Sequence, residues 1–337
     1  MLILGNLWFV IICILIIGYF ALDGFDLGAG VLYPFLAKDE RDKMCVMRAI
    51  GPVWDGNEVW LLTAGGALFA AFAQAYATVF SGFYLAIMLV LFGLIFRAVA
   101  VEFRAHGGDM PALWDALFFI GSLLPALLLG VAMGNIVQGL PLDANGDYIG
   151  GFFALLNPFA LLCGVLGLVH MLAQGAAWIA LKAPEGSRLR AKAAGLRRML
   201  SIADIVVFAL TSVMFFVLVK PSLPYALGNE ALAIIGALVF MASMLGVVVL
   251  CNAGAAKKDA LGPVLAGVGC LGLVLILAAT QFPNLVPALD PALSLTVANS
   301  ASSNTALFAM TIIACIGVPI VLVYHVLVYR AFRGRIS

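Results

Sequence analysis

Six residues in an otherwise apolar sequence have the types and spacing to move protons. Asp23 and Asp26 stand in "FALDGFDLGAG", Trp54, Asp55 and Glu58 in "GPVWDGNEVWLLTAGGALFAAF", and Arg97 in "LIFRAVAVEFR". Asp23 with Asp26, and Asp55 with Glu58, are i,i+3 pairs that share a face of a helix. Trp54 adds an indole N–H donor and a large apolar wall beside Asp55. Desolvation and like-charged neighbours favour the protonated carboxyl, which is how such a group comes to relay protons. The structural alternative is an ion-paired staple in which Arg97 neutralises one acid. Four carboxylates against one arginine do not neutralise, so at least one carboxyl is expected to be protonated or linked to water. The count favours proton conduction or cation binding over stapling.

The elements that must hold these residues are membrane helices. The 337-residue chain is 64% hydrophobic and only 10% charged, against about 45–50% and about 25% in soluble domains. Nine apolar stretches, near residues 7–36, 52–74, 77–103, 112–136, 152–181, 200–219, 231–252, 260–281 and 305–331, are each about long enough to cross a core of roughly 30 Å. Helix is expected, because backbone groups in lipid must bond internally and no strand-like alternation is visible. The first stretch lacks a basic leader and a small-residue cleavage site, and is read as a retained span.

Lysines and arginines alternate from one connection to the next. Lys38, Arg41, Lys43 and Arg48 follow span 1, and Arg97 and Arg104 end span 3. Lys182, Arg188, Arg190, Lys192, Arg197 and Arg198 follow span 5, Lys257 and Lys258 follow span 7, and Arg330, Arg333 and Arg335 close the chain. The intervening loops hold Asp143, Asp147, Glu230 and Asp290, with Lys220 as their one basic residue. The positive-inside rule then places the N-terminus in the periplasm and the C-terminus in the cytoplasm. A basic linker at 182–198 divides the chain, and two four-helix bundles plus one peripheral helix are expected, with a first unit at 1–140 and a second at 141–337. Loop 282–304, rich in Pro, Ser, Asn and Ala, is expected to cover the outer surface. At about 1.5 Å per residue, Asp26 lies roughly 15 Å from the cytoplasmic face, Asp55 and Glu58 roughly 8–12 Å, and Arg97 about 10 Å. The charges of three consecutive helices therefore converge.

Other chemistries find little support. Cys13, Cys45, Cys163, Cys251, Cys270 and Cys315 are scattered with no CxxC pair, so neither zinc nor an iron–sulfur centre is indicated, and they read as small buried hydrophobes. No phosphate-cradling glycine motif is present, and no nucleic-acid partner is expected. His106 reads as a solvated loop residue, and His170 and His325 as hydrogen-bonded helix histidines rather than haem ligands. Gln174 is placed to bond across helices. Glu102 and Asp115 fall near cytoplasmic helix ends, and Asp204 is read at the start of span 6, where a helix dipole favours an acid. Gly24, Gly28 and Gly30 give span 1 a face for close helix approach.

Four stretches, "GYFALDGFDLGAGVL", "GPVWDGNEVWLLTAGGALFAAF", "YATVFSGFYLAIMLVLFGLIFR" and "GVAMGNIVQGLP", strongly resemble subunit II of bacterial cytochrome bd-type quinol oxidases. The match is dense over 18–140 and rests on topology beyond. The compact length and short loops are more similar to the cyanide-insensitive branch. The resemblance implies a heterodimer with a subunit I that carries two b-type haems and a d- or b-type haem at the oxygen site. It also implies quinol oxidation at the outer face, reduction of oxygen to water with protons from the cytoplasm, and residence in the bacterial inner membrane. On that resemblance the WD pair is Trp54 and Asp55, the second acid of the DGFD motif is Asp26, and the intramembrane arginine is Arg97. The Asp of the WD pair then belongs to a proton route, no metal site is expected here, and catalysis itself lies outside this chain. Some family members add a small single-helix subunit or hold a structural quinone. A secondary transporter and a purely structural membrane scaffold are the competing readings; the first would favour broken helices in both halves.

Overall fold

The computed structural model describes residues 2–105, 110–222, 229–251 and 259–336. His106, Lys257 and Lys258 lie outside the described residues. In chain order the helices are α1 (Leu2–Leu36), α2 (Glu40–Ile50), α3 (Trp54–Ala71), α4 (Ala73–Gly82), α5 (Tyr84–Ala105) and α6 (Pro111–Gln138). They continue as α7 (Pro158–Lys182), α8 (Arg188–Met214), α9 (Glu230–Leu250), α10 (Leu261–Gln281), the short α11 (Val297–Ser300) and α12 (Asn304–Ala331). Two short strands, β1 (Asn284–Val286) and β2 (Leu295–Thr296), form an antiparallel pair.

Among the described residues, eight helical stretches are long and apolar enough to cross a membrane: α1, α5, α6, α7, α8 with its continuation to Val219, α9, α10 and α12. The molecule is thus an all-α, multi-pass membrane protein. The expected second span is α3, which has 18 residues but holds Asp55, Asn57 and Glu58 in its first two turns and is not among the eight. The expected third span begins later than its hydropathy suggests. The chain breaks at Phe72 and again at Phe83, so that α4 links α3 to α5. Gly82 precedes the second break, but no glycine or proline adjoins the first; Phe72 is fully buried, so packing sets that bend.

α1 is the central helix. It packs on α3, α6, α7 and α10, and from Asp23 to Tyr33 every residue is buried. Its crossing with α7 is close enough to exclude side chains. A Cβ on Gly28 would lie 1.7 Å from the Met171 carbonyl oxygen, and one on Gly175 would lie 2.3 Å from the Ala29 nitrogen. α5 and α6 cross similarly, with a Cβ on Gly121 falling 2.6 Å from the Arg97 nitrogen. This contact sets the depth of Arg97 against α6. Helices in lipid gain by such backbone approach, because dispersion replaces the hydrophobic driving force.

The basic segment 182–198 is a correction to the expected linker. α8 starts at Arg188 behind a Ser187 cap that accepts from the Arg190 N–H, leaving only Ala183–Ser187 as a connection. Its Arg, Ala, Lys and Leu residues are good helix formers, and their charge hid a helix already under way. Asp204 therefore lies mid-helix and fully buried, not at a helix start.

At the same end, Asp259 gathers Arg190 (2.7 Å), Arg197 (3.2 Å) and Arg335 (3.0 Å). Arg335 also donates to the carbonyls of Ala180, Leu181 and Ala183, and Lys182 donates to the Phe332 carbonyl. Burial alone would raise the Asp259 pKa, but hydrogen bonds from the three arginines outweigh it and hold the carboxyl below its ordinary value. The stabilisation this supplies is complete above the ordinary carboxylate pKa of about 4 and fades as the pH falls through the lowered value. Acidification well below about pH 4 is therefore expected to free the 332–336 segment, measured as faster proteolytic trimming. Asp259→Asn should give the same trimming at neutral pH; equal protection in variant and wild type would remove Asp259 from this role.

At the opposite end, the 282–304 segment forms the expected cover. Leu140 bonds to Pro287 and Leu289, Ser302 bonds to the Ala71 carbonyl, and the segment's own Val286, Ala288, Leu295 and Val297 are buried. α12 lies against α1 and α3, with Trp8 donating to the Leu307 carbonyl at 3.1 Å, and its Tyr329 ring meets Trp178 of α7 at 5.9 Å.

Candidate functional site

The central crossing brings four of the expected residues together. Asp23 and Asp26 on α1 and Arg97 on α5 are almost wholly buried, and Glu58 on α3 is partly so. Arg97 Nη2 donates to Asp23 Oδ1 at 2.6 Å and also bonds Glu58 Oε1. Asp26 has no such cation. Its Oδ2 accepts from Asn57 Nδ2 at 2.7 Å, while the same amide nitrogen reaches the Leu22 carbonyl at 3.2 Å. Asn57 Oδ1 in turn accepts from the Tyr329 hydroxyl on α12 at 3.0 Å. One guanidinium thus faces three carboxyls across α1, α3 and α5.

Asp55 and Trp54 do not join this group. Asp55 is exposed, and Trp54 is half-buried against the apolar cluster around Val53 and Trp178. Asn57 fills the place Asp55 was expected to take. Tyr19, one turn before Asp23 on α1, is buried beside the cluster, and Trp60 on α3 donates to His325 Nε2 at 3.2 Å. Several polar atoms here have no partner among the described residues: Asp23 Oδ2, Asp26 Oδ1, Arg97 Nε and Nη1, and the Tyr19 hydroxyl. Buried polar atoms are rarely left so.

Between this cluster and the basic end lies a second ionic group. Asp115 accepts from Tyr33 at 2.5 Å, Lys43 at 2.7 Å and Arg104 at 2.9 Å, and Arg104 also bonds Glu40. The Asp115 hydrogen bond raises the pKa of Lys43, and the Arg104 hydrogen bond lowers that of Glu40. This group ties α2 to α1, α5 and α6.

A third polar group, in the second half of the chain, was legible only in pieces. His170 on α7 holds Asp204 of α8 at 2.7 Å through Nδ1 and lies 3.2 Å from Cys270 of α10 through Nε2. Gln174 crosses to Cys270 at 2.9 Å, as its position on α7 suggests. Buried ionisable groups are therefore not confined to the first half. His325 likewise uses both nitrogens, accepting from Trp60 and bonding the Val321 carbonyl at 2.9 Å. Neither of these histidines offers a free nitrogen to a haem iron, so they do not fit axial ligation. Among the described residues no group of three His, Cys, Asp or Glu could hold a metal ion.

Residues 4–332 match the family model for cytochrome bd terminal oxidase subunit II. The chain belongs to that family. Its relatives include a probable cytochrome oxidase subunit 2 of Haemophilus influenzae, 36% identical over 98% of this chain and 94% of that one. The cytochrome bd-I ubiquinol oxidase subunit 2 of Escherichia coli K12 is 35% identical over 99% and 96%. The cytochrome bd ubiquinol oxidase subunit 2 of Bacillus subtilis is 32% identical over 99% and 97%. A solved bd oxidase from Geobacillus thermodenitrificans superposes with a TM-score of 0.76 over 98% of both chains, at 16% identity, a likeness of fold. This subunit II therefore works within a cytochrome bd-type quinol oxidase, a terminal oxidase of electron transport, in complex with a subunit I.

Proposed function

We propose that the Asp23–Asp26–Asn57–Glu58–Arg97 cluster takes up protons from the cytoplasm and passes them towards the oxygen-reducing centre of subunit I. The single observation that carries this reading is one guanidinium shared among buried carboxyls, with Asp26 bonded only to an amide. A cluster with more acids than cations can take and release protons while Arg97 keeps it from unfolding the site. Asp55, exposed in the first turn of α3 and three residues before Glu58, is the entry carboxylate, and Trp54 walls it from lipid. The haems, two b-type and a d- or b-type, belong to subunit I and supply the electron chemistry. Each electron given to oxygen there must be matched by a proton, and this chain's carboxyls hold and move that proton.

The remaining readings follow from the family and the charge pattern. α3 is the ninth span, at roughly 27 Å just about long enough to cross. The N-terminus is periplasmic and the C-terminus cytoplasmic, in the bacterial inner membrane. The two units are 1–140 and 141–337, quinol is the electron donor at subunit I, and a single-helix subunit completes the assembly. A structural quinone would take the apolar cavity of about 570 Å³ lined by α1 and α6 of the first unit and by α7, α8, α9 and α10 of the second.

The test uses the intact complex in proteoliposomes, following quinol-driven oxygen consumption and proton uptake together. Asp55→Asn is expected to slow both severalfold at unchanged haem content. If both stay at wild-type rates, Asp55 is no part of the route. Substrate flux by this chain without haem would favour a transporter instead.

A further inference from the structure

The second half of the chain holds a buried constellation that proton uptake through α1, α3 and α5 leaves unused. Asp204 Oδ2 bonds His170 Nδ1 at 2.7 Å, and His170 Nε2 lies 3.2 Å from Cys270 Sγ. This order of acid, imidazole and thiol is the one by which hydrolytic enzymes activate a nucleophile. Gln174 Nε2 sits 2.9 Å from the same sulfur and can donate to it once it is charged. Asp204 Oδ1 and Gln174 Oε1 have no partner among the described residues. All four side chains are buried. They are not sealed, because His170 and Cys270 line a cavity of about 570 Å³ whose other walls include Met133, Phe159, Phe215 and Leu277.

A buried cysteine in apolar surroundings is normally inert. Cys270 differs in having an oriented base on one side, an amide donor on the other, and open apolar space in front. The cavity wall is almost wholly hydrocarbon, so a charged reagent is excluded and a lipid-soluble one admitted. The ion pair Lys220–Glu230, at 3.4 Å, lies among its lining residues as a polar exception.

We propose that Cys270 is a reactive thiol which forms a thioether with apolar electrophiles carrying an activated carbon–carbon double bond. The thiol proton passes to His170 Nε2, and the sulfur bonds the electron-poor alkene carbon. The same proton then completes the neighbouring carbon. The double bond is consumed, nothing leaves, and no oxidant or reductant is required. Asp204 acts through His170, holding it with Nε2 towards the sulfur.

The experiment treats the intact two-subunit complex with N-ethylmaleimide and follows all six cysteines by peptide mass mapping. Cys270 is expected to react about tenfold faster than the other five, since an ordinary thiol is only a few per cent ionised near neutral pH. His170→Gln and Asp204→Asn are each expected to slow labelling of Cys270 by about the same factor while the other five rates and the haem content hold. A sulfonated maleimide should leave Cys270 untouched. Absence of a Cys270 adduct in the wild type, or a rate that neither substitution changes, overturns the proposal. Should both variants fail to assemble, the wild-type ranking of the six cysteines decides.

Discussion

Arg97→Leu is expected to prevent accumulation of the assembled oxidase. Arg97 is almost wholly buried and bonds Asp23 and Glu58 at once. Removing one partner of a buried ion pair typically costs about 3–5 kcal/mol, because the opposite charge stays buried without compensation. That is a large share of a folded protein's margin of about 5–15 kcal/mol. Arg97→Lys should fall between wild type and Arg97→Leu, as an ammonium keeps the charge but is more strongly hydrated and costs more to bury. The readout is haem-containing complex recovered from membranes, with its thermal midpoint. Adding Asp23→Asn and Glu58→Gln to Arg97→Leu should restore much of the yield, since the charges that needed the guanidinium are gone. Wild-type yield and midpoint in Arg97→Leu alone would show that the arginine is not the counter-ion that holds α1, α3 and α5 together.

Asp26→Asn is expected to act on turnover instead. An asparagine carbonyl oxygen can still accept from Asn57 Nδ2, so the 2.7 Å contact and the packing of α1 on α3 have no reason to change. What is lost is the ability to hold and release a proton. Positioned proton transfer is worth about 10²–10⁴-fold in rate, so a fall in quinol-driven oxygen consumption per haem of about a hundredfold is expected. Yield and haem spectra should match the wild type. The paired control, Asn57→Ala, removes the bond but keeps the acid, and should cost less turnover and more stability. Full turnover in Asp26→Asn would reduce Asp26 to a packing residue.

The contrast between Asp55 and Asn57 shows how far a sequence can be read. Depth along the helices was enough to bring Asp23, Asp26, Glu58 and Arg97 to one level, and the structure joins them. The i,i+3 rule then assigned Asp55 to the face of Glu58, although such residues are about 60° apart on a helix of 3.6 residues per turn. The buried boundary of α3 passes between them, with Asn57 inside and Asp55 outside. Asp204 failed for a different reason. Its helix begins in a stretch whose charges look like a loop, so the sequence hid both the helix and the buried position that pairs Asp204 with His170. Tyr329 was out of reach, and His325 was legible as a hydrogen-bonded helix histidine but without its partner Trp60, because nothing local in α12 reveals that it lies on α1 and α3.

That placement of α12 has a consequence for biosynthesis. Translation delivers α12 long after α1 and α3, yet Tyr329 completes the hydrogen bonding of Asn57, and His325 that of Trp60. Until α12 docks, the acids on α1 and α3 have one side uncovered. A chain interrupted before this helix would therefore leave that side of the charged site open. Closure of the charged site thus waits until synthesis has run past α12.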